Sequence, residues 1–409
     1  MNVVVIGAGA SGLIAAGTAA KNGHSVSVLE RNDRPGRKLM LTGKGRCNIT
    51  NMSDTANYIK MTPVNGKFLF SCLNAFTPSD IINLLENYGV KTKTERGNRV
   101  FPVSDTSRDI VDALVKFAVT NGVKIIKGRA VNLKIDNGII KAVILEDGNK
   151  IEADYVIICT GGVSYPLTGS TGDGYTLAKK AGHKITTPSP SLVPITVKEK
   201  FVRDLMGLTL KNVKLKIKNE TSNKIIFEEQ GELLFTHFGI SGPLVLSASS
   251  HMRNVNKYSY SAIIDLKPAL DYSVLDTRLQ KDFNINAGKI FANSLGALLP
   301  KSFIPVFVKQ SGIEPQTKTN QITKEMRGKI AFLLKNFKLS INGFRPIDEA
   351  IITSGGVDTN EIDPKTMKSK LVPNLSFAGE VIDVDAYTGG YNLQIAFSTG
   401  YVAGISIDN

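Results

Sequence analysis

Three glycines near the start of the chain have the spacing of a phosphate-binding turn. Gly7, Gly9 and Gly12 directly follow the apolar run 3–6. A strand that turns sharply into a helix needs glycine at the turn, at the approach to the phosphate and where the helix packs on the strand. The helix N-terminus then offers free N–H groups and the positive end of its dipole to the phosphates. The pattern therefore predicts a dinucleotide site.

An acidic residue stands where such a site needs one. Glu30 ends the next apolar run, 26–29, and lies 18 residues after Gly12. A carboxylate at this position accepts hydrogen bonds from an adenosine ribose. It also disfavours a 2′-phosphate, so we expect FAD or NAD rather than NADP.

Two further apolar runs also end in glycine. Residues 160–162 read Thr-Gly-Gly, Gly379 and Glu380 follow another run, and Gly390 opens the last helix. Ligands bind at the carboxyl ends of the strands in open α/β sheets. A long dinucleotide such as FAD needs several such sites, because its two ends lie far apart. We therefore expect its ADP half at the N-terminal motif and its flavin at the final helix, whose dipole favours negative charge on the ring.

Length and composition describe an ordinary globular chain of two or three domains. It has 409 residues, 42% of them hydrophobic and 21% charged. The glycine motif begins at the first strand, with no signal-peptide pattern before it, and no apolar stretch is long enough to span a bilayer. Cys47, Cys72 and Cys159 form no CxxC pair, which fits a reducing cytoplasm. We expect a cytoplasmic location without a membrane partner.

The net charge of +14 allows two interpretations. A basic surface could bind nucleic acid or another anion. Alternatively, the lysines lie on solvated faces, as their alternation over 211–218 indicates for a half-exposed strand. We favour the second interpretation, because aromatic residues are only 7% and tryptophan is missing. The composition thus favours a small-molecule substrate over a nucleic-acid partner.

Four stretches resemble a known family across nearly the whole chain. The family is that of the BaiN- and YhiN-like FAD-dependent oxidoreductases, which also includes aminoacetone oxidase. The stretches are GRKL…GKGRCNITN at 36–51, CTGG with GSTGDG between 159 and 174, FTHFGISGP at 235–243, and GEVID…TGGYNLQ at 379–394.

The resemblance implies an α/β fold with a two-piece Rossmann-like FAD-binding domain. A β-barrel domain and a small helical domain are inserted before its second piece. This agrees with the prolines and the alternating pattern that begin near residue 190 and with the helical pattern after 268. The expected domains are 1–189 with 354–409 for FAD, 190–267 with 336–353 for the barrel, and 268–335 for the helices.

The motifs and the resemblance together predict the residues that bind the cofactor. The glycine loop 43–48 lacks the spacing of a P-loop, and by resemblance Arg46, Cys47 and Asn48 lie near the isoalloxazine. We interpret Cys47 as a small buried residue, since no partner cysteine is near it. The predicted set is Gly7, Gly9, Ala10, Ser11, Gly12, Glu30, Arg31, Arg37, Lys38, Gly45, Arg46, Cys47, Asn48, Val131, Thr160, Gly161, Gly162, Gly379, Glu380, Asp383, Gly390, Tyr391, Asn392 and Leu393.

The catalytic residue is not identified by any motif. His237, Tyr391 and Tyr165 are candidate proton donors. We favour a structural hydrogen bond for His237, and aromatic packing is the alternative for the two tyrosines. No cluster of His, Cys and carboxylates has metal-ligand spacing, so no metal is expected.

Three functions remain open at this point. The resemblance to BaiN favours an FAD-dependent reductase that takes hydride from NAD(P)H and reduces an activated C=C bond, like a 3-dehydro-bile acid Δ4,6-reductase. No second nicotinamide motif is visible, so NAD(P)H would bind transiently at the flavin. The alternatives are an O2-using amine oxidase of the aminoacetone oxidase type and, because of the charge, a basic RNA-binding flavoprotein. Fold-level resemblance identifies a cofactor better than a substrate.

Overall fold

The chain forms two compact units. The computed structural model describes residues 1–252, 255 and 257–408. The first unit combines Met1–Ser191 with Pro346–Asn409, and the second unit is Leu192–Arg345.

Nineteen strands and twelve α-helices lie in the described residues, and we number them in chain order. The strands are β1 (Asn2–Ile6), β2 (Ser25–Glu30), β3 (Thr50–Asn51), β4 (Thr92–Glu95), β5 (Arg99–Pro102), β6 (Lys124–Lys127), β7 (Ala130–Asp136), β8 (Ile139–Leu145), β9 (Lys150–Glu152), β10 (Tyr155–Ile158), β11 (Ile185–Ser191), β12 (Ile195–Val197), β13 (Thr209–Asn219), β14 (Lys224–Thr236), β15 (Gly239–Ser241), β16 (Tyr260–Asp265), β17 (Phe337–Phe344), β18 (Ile352–Val357) and β19 (Leu375–Phe377). The helices are α1 (Ala10–Lys21), α2 (Arg37–Leu41), α3 (Thr55–Lys60), α4 (Phe70–Ala75), α5 (Pro78–Asn87), α6 (Ser107–Thr120), α7 (Asp173–Lys180), α8 (Pro243–Ser249), α9 (Tyr272–Ile285), α10 (Ile304–Ser311), α11 (Lys324–Lys335) and α12 (Tyr391–Ile405).

A five-stranded parallel sheet is the centre of the first unit. Its strand order is β19-β10-β1-β2-β6, and all four pairs of neighbouring strands run parallel. Strands β1 and β10 are almost wholly buried, which is why they are continuous runs of Val and Ile rather than alternating patterns. Strand β19 comes from the C-terminal piece of the chain. The predicted two-piece Rossmann-like fold is therefore confirmed.

Helix α1 packs on this sheet between α6 and α12. The close approach depends on glycines: a side chain at Gly400 would overlap the backbone oxygen of Ser11, and one at Gly17 would overlap the ring of Phe117. Helix α12 is apolar all round and mostly buried, as expected for a helix covered on every side.

The second boundary between the units, where the chain returns to the first unit, lies earlier than the sequence indicated. Residues 346–353 were expected in the barrel, but they belong to the first unit. The reason is that β18 pairs antiparallel with β11, for example Ile352 with Ser191. An apolar strand segment alone does not show which sheet it will join.

The second unit contains a closed six-stranded barrel of order β12-β15-β14-β13-β16-β17, as predicted. The helical segment expected as a separate domain, 268–335, belongs to the same compact unit. Its Phe303 ring lies 5.9 Å from that of Phe235 on β14 and 5.1 Å from that of Phe337 on β17. These buried aromatic contacts give the barrel and the helices a shared core.

Membrane-spanning segments were searched for in the described residues. No single helix there has the length and apolarity to cross a bilayer, although the bent pair Gly66–Ala75 and Pro78–Asn87 passes by length and composition alone.

A buried histidine joins two distant segments of the first unit. The side chain of His183 is fully buried, with Nδ1 3.1 Å from Glu361 Oε2 and Nε2 2.8 Å from Ser369 Oγ. Burial lowers the pKa of His183 below its usual 6.5, and this outweighs the opposite effect of Glu361. The native state therefore holds this imidazole neutral.

This arrangement predicts a loss of stability in mild acid. Below pH 6.5 the unfolded chain binds a proton at His183 more readily than the native chain, so the free energy of unfolding falls as the pH decreases. Burial lowers the pKa of His251 in the same direction. Denaturant melts between pH 7.5 and 5 should show the decline, and His183→Gln should reduce its slope. Replacing the exposed His237 by Gln is the control, and an unchanged slope in His183→Gln would contradict the assignment.

Candidate functional site

The turn between β1 and α1 has the geometry that its three glycines predict. Gly7 has a φ of +104°, and a Cβ there would lie 2.6 Å from the carbonyl oxygen of Cys159. A Cβ at Gly12 would overlap the carbonyl oxygen of Gly7, whereas one at Gly9 would meet nothing within 4 Å. Two glycines thus serve close packing, and Gly9 leaves an open approach to the backbone.

The N-terminus of α1 is available to an anion. Within the described residues no side chain caps it, and its first turn has no acidic residue. Ala10 lies half-buried at this end, whereas the hydroxyl of Ser11 donates to the carbonyl of Ala378 at 3.2 Å. Ser11 can therefore offer its backbone N–H, but its side chain is engaged elsewhere. The uncapped amides and the dipole fit a pyrophosphate.

Glu30 lies beside this turn at the end of β2. Its Oε2 accepts from the Ala8 N–H at 3.0 Å, and its Oε1 accepts from the backbone and side chain of Asn32 at 2.9 and 2.7 Å. The side chain of Asn32 also accepts from Arg37 at 3.1 Å. These bonds hold the buried carboxylate in one orientation and leave lone pairs for a ribose.

Arg31 and Val131 are engaged with the protein rather than free. Arg31 forms an ion pair with Asp173 at 3.0 Å, and Arg129 binds the same carboxylate at 2.8 Å. Val131 lies at an irregularity of the β7–β8 pairing, where its carbonyl accepts from Lys180 at 3.0 Å.

The ends of β10 and β19 meet around Glu380. Its Oε2 is 2.6 Å from Lys38 Nζ, and its Oε1 accepts from the Thr353 N–H at 2.8 Å and from the Ser164 hydroxyl at 3.2 Å. Positions 161 and 162 lie against the same carboxylate, since Cβ atoms there would stand 3.8 and 3.2 Å from its oxygens. Gly379 donates to Thr399 at 2.9 Å.

Three buried polar atoms near these strand ends have no partner among the described residues. They are Thr160 Oγ1, Tyr175 Oη and Asp383 Oδ1. Burial raises the pKa of Tyr175, and the nearby carboxylates Glu380 and Asp383 raise it further. Buried polar groups are normally satisfied, so the three atoms indicate a polar ligand or bound water here. Tyr175 has no local sequence signal and was not predicted, nor were Ser164 and Thr353.

A second helix N-terminus lies at Gly390. A Cβ there would overlap the backbone of Thr50, and α12 has neither a side-chain cap nor an acid in its first turn among the described residues. With its amide oriented to satisfy its neighbours, Asn48 Oδ1 accepts from the Gly390 N–H at 3.0 Å. The structure thus joins the loop 43–48 to the start of α12.

The side chains after Gly390 hold this corner together. Tyr391 Oη accepts from Asn57 at 3.1 Å, and the Tyr391 ring lies edge-on to Tyr58 at 4.9 Å. The Asn392 side chain accepts from the Ala386 N–H and donates to the Ala386 carbonyl. Leu393 is half-buried.

The loop 43–48 has an open backbone at Gly45, and its arginine is engaged with other residues. A Cβ at Gly45 would meet nothing within 4 Å, so the loop is open at that point. The Arg46 guanidinium binds Glu95 and Asp105 and lies 4.2 Å from the centre of the Phe101 ring. Two carboxylates therefore already neutralise Arg46, which the resemblance places near the isoalloxazine.

Cys47 is fully buried, and burial raises the pKa of its thiol to about 12. The thiol stays protonated and unreactive at neutral pH, in line with a packing role.

The other two candidate proton donors are His237 and Tyr165. His237 is exposed in the second unit, between β14 and β15, with its ring 4.9 Å from that of Phe238. Tyr165 is half-buried in the first unit, with a φ of +51° before a short 3-10 helix. Within the described residues no group of three or more His, Cys, Asp and Glu could hold a metal ion.

The family is shown by comparison with known proteins. The family described as HI0933-like protein Rossmann domain matches residues 1–406. The chain belongs to this family. It is 31% identical to the ribosomal RNA dihydrouridine synthase of Escherichia coli over 98% of this chain and 96% of that protein. It is also 31% identical to the 3-dehydro-bile acid delta(4,6)-reductase of Clostridium scindens over 98% of this chain and 97% of that protein.

Solved structures agree on the fold. A flavocytochrome c3 fumarate reductase matches 99% of this chain and 77% of its own, with a TM-score of 0.52 at 17% identity. The family and its reductase member identify the protein as a flavin-dependent oxidoreductase with an FAD-binding Rossmann domain. The open turn at Gly9, the two uncapped helices and the unpartnered buried atoms fit that cofactor.

Proposed function

We propose that this protein reduces the C5=C6 double bond of uridine in ribosomal RNA. Dihydrouridine differs from uridine by two hydrogens across that bond, which is conjugated to the C4 carbonyl. The Δ4 bond of a 3-dehydro-bile acid is conjugated to a carbonyl in the same way. The names of the two relatives therefore share one chemistry, the saturation of a carbonyl-conjugated C=C bond.

The net charge supports RNA over a bile acid as the substrate. The chain carries +14 at pH 7 and has a pI near 9.5. Lysines and arginines supply the sequence-independent part of RNA affinity by binding phosphates, whereas a steroid offers one anionic group at most. Aromatic residues are scarce, which disfavours nucleic acid. The similarity to a ribosomal RNA dihydrouridine synthase over nearly its whole length favours RNA.

Bound FAD supplies the hydride for this reaction. The residues of the chain would bind and orient the cofactor: α1 would hold the pyrophosphate, Glu30 the ribose, and the N-terminus of α12 the flavin half. We propose NADH or NADPH as the source of electrons. The substrate gains a hydride on one carbon and a proton on its neighbour.

The test begins with an anaerobic titration of the FAD-loaded protein with NADH and then NADPH. Bleaching of the visible flavin band is expected with one of them. The reduced protein is then mixed with unmodified ribosomal RNA, and nucleosides are analysed by mass spectrometry for a gain of two hydrogens per uridine. Reduction of a steroid enone without any reduction of RNA would contradict the proposal. So would flavin reduction by amines with release of peroxide.

A further inference from the structure

The positive charge is concentrated in the second unit. Residues 192–345 contain 23 Lys and Arg against 12 Asp and Glu, a net charge of +11. The rest of the chain contains 27 Lys and Arg against 24 Asp and Glu, a net charge of +3. The unit without the dinucleotide motif thus carries most of the surplus charge.

The helical segment α9–α11 leaves much of this charge unpaired. Three of its four acids are used locally: Asp276 binds Arg327, Asp282 binds Arg278 and Glu325 binds Lys329. Six lysines of the segment form no ion pair with any described residue. They are Lys281, Lys289, Lys301, Lys309, Lys318 and Lys324.

Two aromatic side chains are exposed on the same segment. Phe332 on α11 is 60% exposed, and Tyr272 at the start of α9 is 50% exposed. The Asn336 amide joins them, since it donates to Tyr272 Oη at 2.6 Å and to the Phe332 carbonyl at 3.1 Å. One helical turn before Phe332 stands Gly328, where a Cβ would meet nothing within 4 Å. The missing side chain leaves the Phe332 ring open on that side.

We propose that Tyr272 and Phe332 form a stacking platform for unpaired bases of an RNA strand whose phosphates bind unpaired lysines of the same segment. The proposal rests on the proposed function, because that function supplies the RNA. Aromatic rings bind single-stranded RNA through the faces of its bases, and cations around them bind its backbone. Charge also disfavours a second copy of the chain as the occupant, since two units of +11 repel each other.

The test measures binding of a fluorescein-labelled single-stranded oligouridylate to the FAD-loaded protein by anisotropy, across a series of salt concentrations. Phe332→Ala and Tyr272→Ala are each expected to weaken binding about tenfold without changing the salt slope. Lys289→Gln with Lys318→Gln should instead reduce that slope by roughly 1.4, because each lysine binds one phosphate. Phe70→Ala is the control, since Phe70 is 59% exposed in the first unit.

Wild-type affinity in both aromatic variants would overturn the platform, whatever the enzyme's substrate proves to be. A shift from dimer to monomer in those variants, with RNA affinity unchanged, would assign the surface to self-association and also overturn it. If binding behaves as expected but uridine is not reduced, the proposed function fails while the platform stands. A wild-type protein that does not bind RNA contradicts both.

Discussion

Replacing Gly9 with valine is expected to weaken FAD binding strongly and leave the fold intact. Gly9 has φ −87° and ψ −164°, an extended conformation that valine adopts readily. A Cβ there would meet no protein atom within 4 Å, so the fold has room for the larger side chain. The same space is the open approach to the uncapped N-terminus of α1, and the branched side chain would fill it. We expect FAD affinity to fall by roughly 100-fold or more.

The measurement is a titration of apoprotein with FAD, followed by flavin fluorescence, alongside a thermal melt without FAD. The melting temperature of the apoprotein should stay within a few degrees of the wild type. Gly296→Val is the matched control, because a Cβ at Gly296 also meets nothing within 4 Å. Tight FAD binding by Gly9→Val would show that the cofactor does not approach α1 at this residue.

Adding a single methyl group at Gly12, three residues further along, is expected to damage the fold itself. We expect Gly12→Ala to destabilise the first unit by about 3 kcal/mol or more. A methyl group at Gly12 would overlap the carbonyl oxygen of Gly7 and stand 3.2 Å from the Cys159 side chain. That turn is held between two strands of the parallel sheet and cannot retreat without breaking the Gly7 N–H bond to Leu29, 2.8 Å long.

Thermal and denaturant melts of the apoprotein test this expectation independently of the cofactor. Gly328→Ala is the control, since it makes the same change inside a helix with open space around it. That variant should gain about 1 kcal/mol, because alanine restricts the unfolded chain and favours helix. Equal stability of Gly12→Ala and the wild type would mean that the turn relaxes more easily than its contacts indicate.

Local patterns predicted those parts of the structure that local geometry decides. Spacing alone predicted the strand and glycines around Gly7. It also predicted Glu30 at the end of β2 and the glycine before α12. Partners that are distant in sequence did not follow. Arg46 forms ion pairs with Glu95 and Asp105, 49 and 59 residues further along the chain. The Ser11 hydroxyl donates to a carbonyl 367 residues away.

The same limit explains the misplaced unit boundary and the missed tyrosine. Strand β18 is apolar enough for either sheet, and only its pairing with β11 places it. Tyr175 stands in an ordinary amphipathic helix, and the carboxylates near its unpartnered hydroxyl, Glu380 and Asp383, come from a distant part of the sequence.

The split of the Rossmann-like unit also determines the order in which the chain can fold during synthesis. The barrel and its helices are contiguous, so their whole sequence leaves the ribosome before β19 and α12 exist. Until then β10 is an open sheet edge, and α1 lacks the helix that covers it. The inserted unit can therefore fold first. The FAD-binding unit can complete its sheet only after β19 and α12 have been synthesised. A nascent chain that stalls late would expose an apolar helix and a free strand edge to chaperones and proteases.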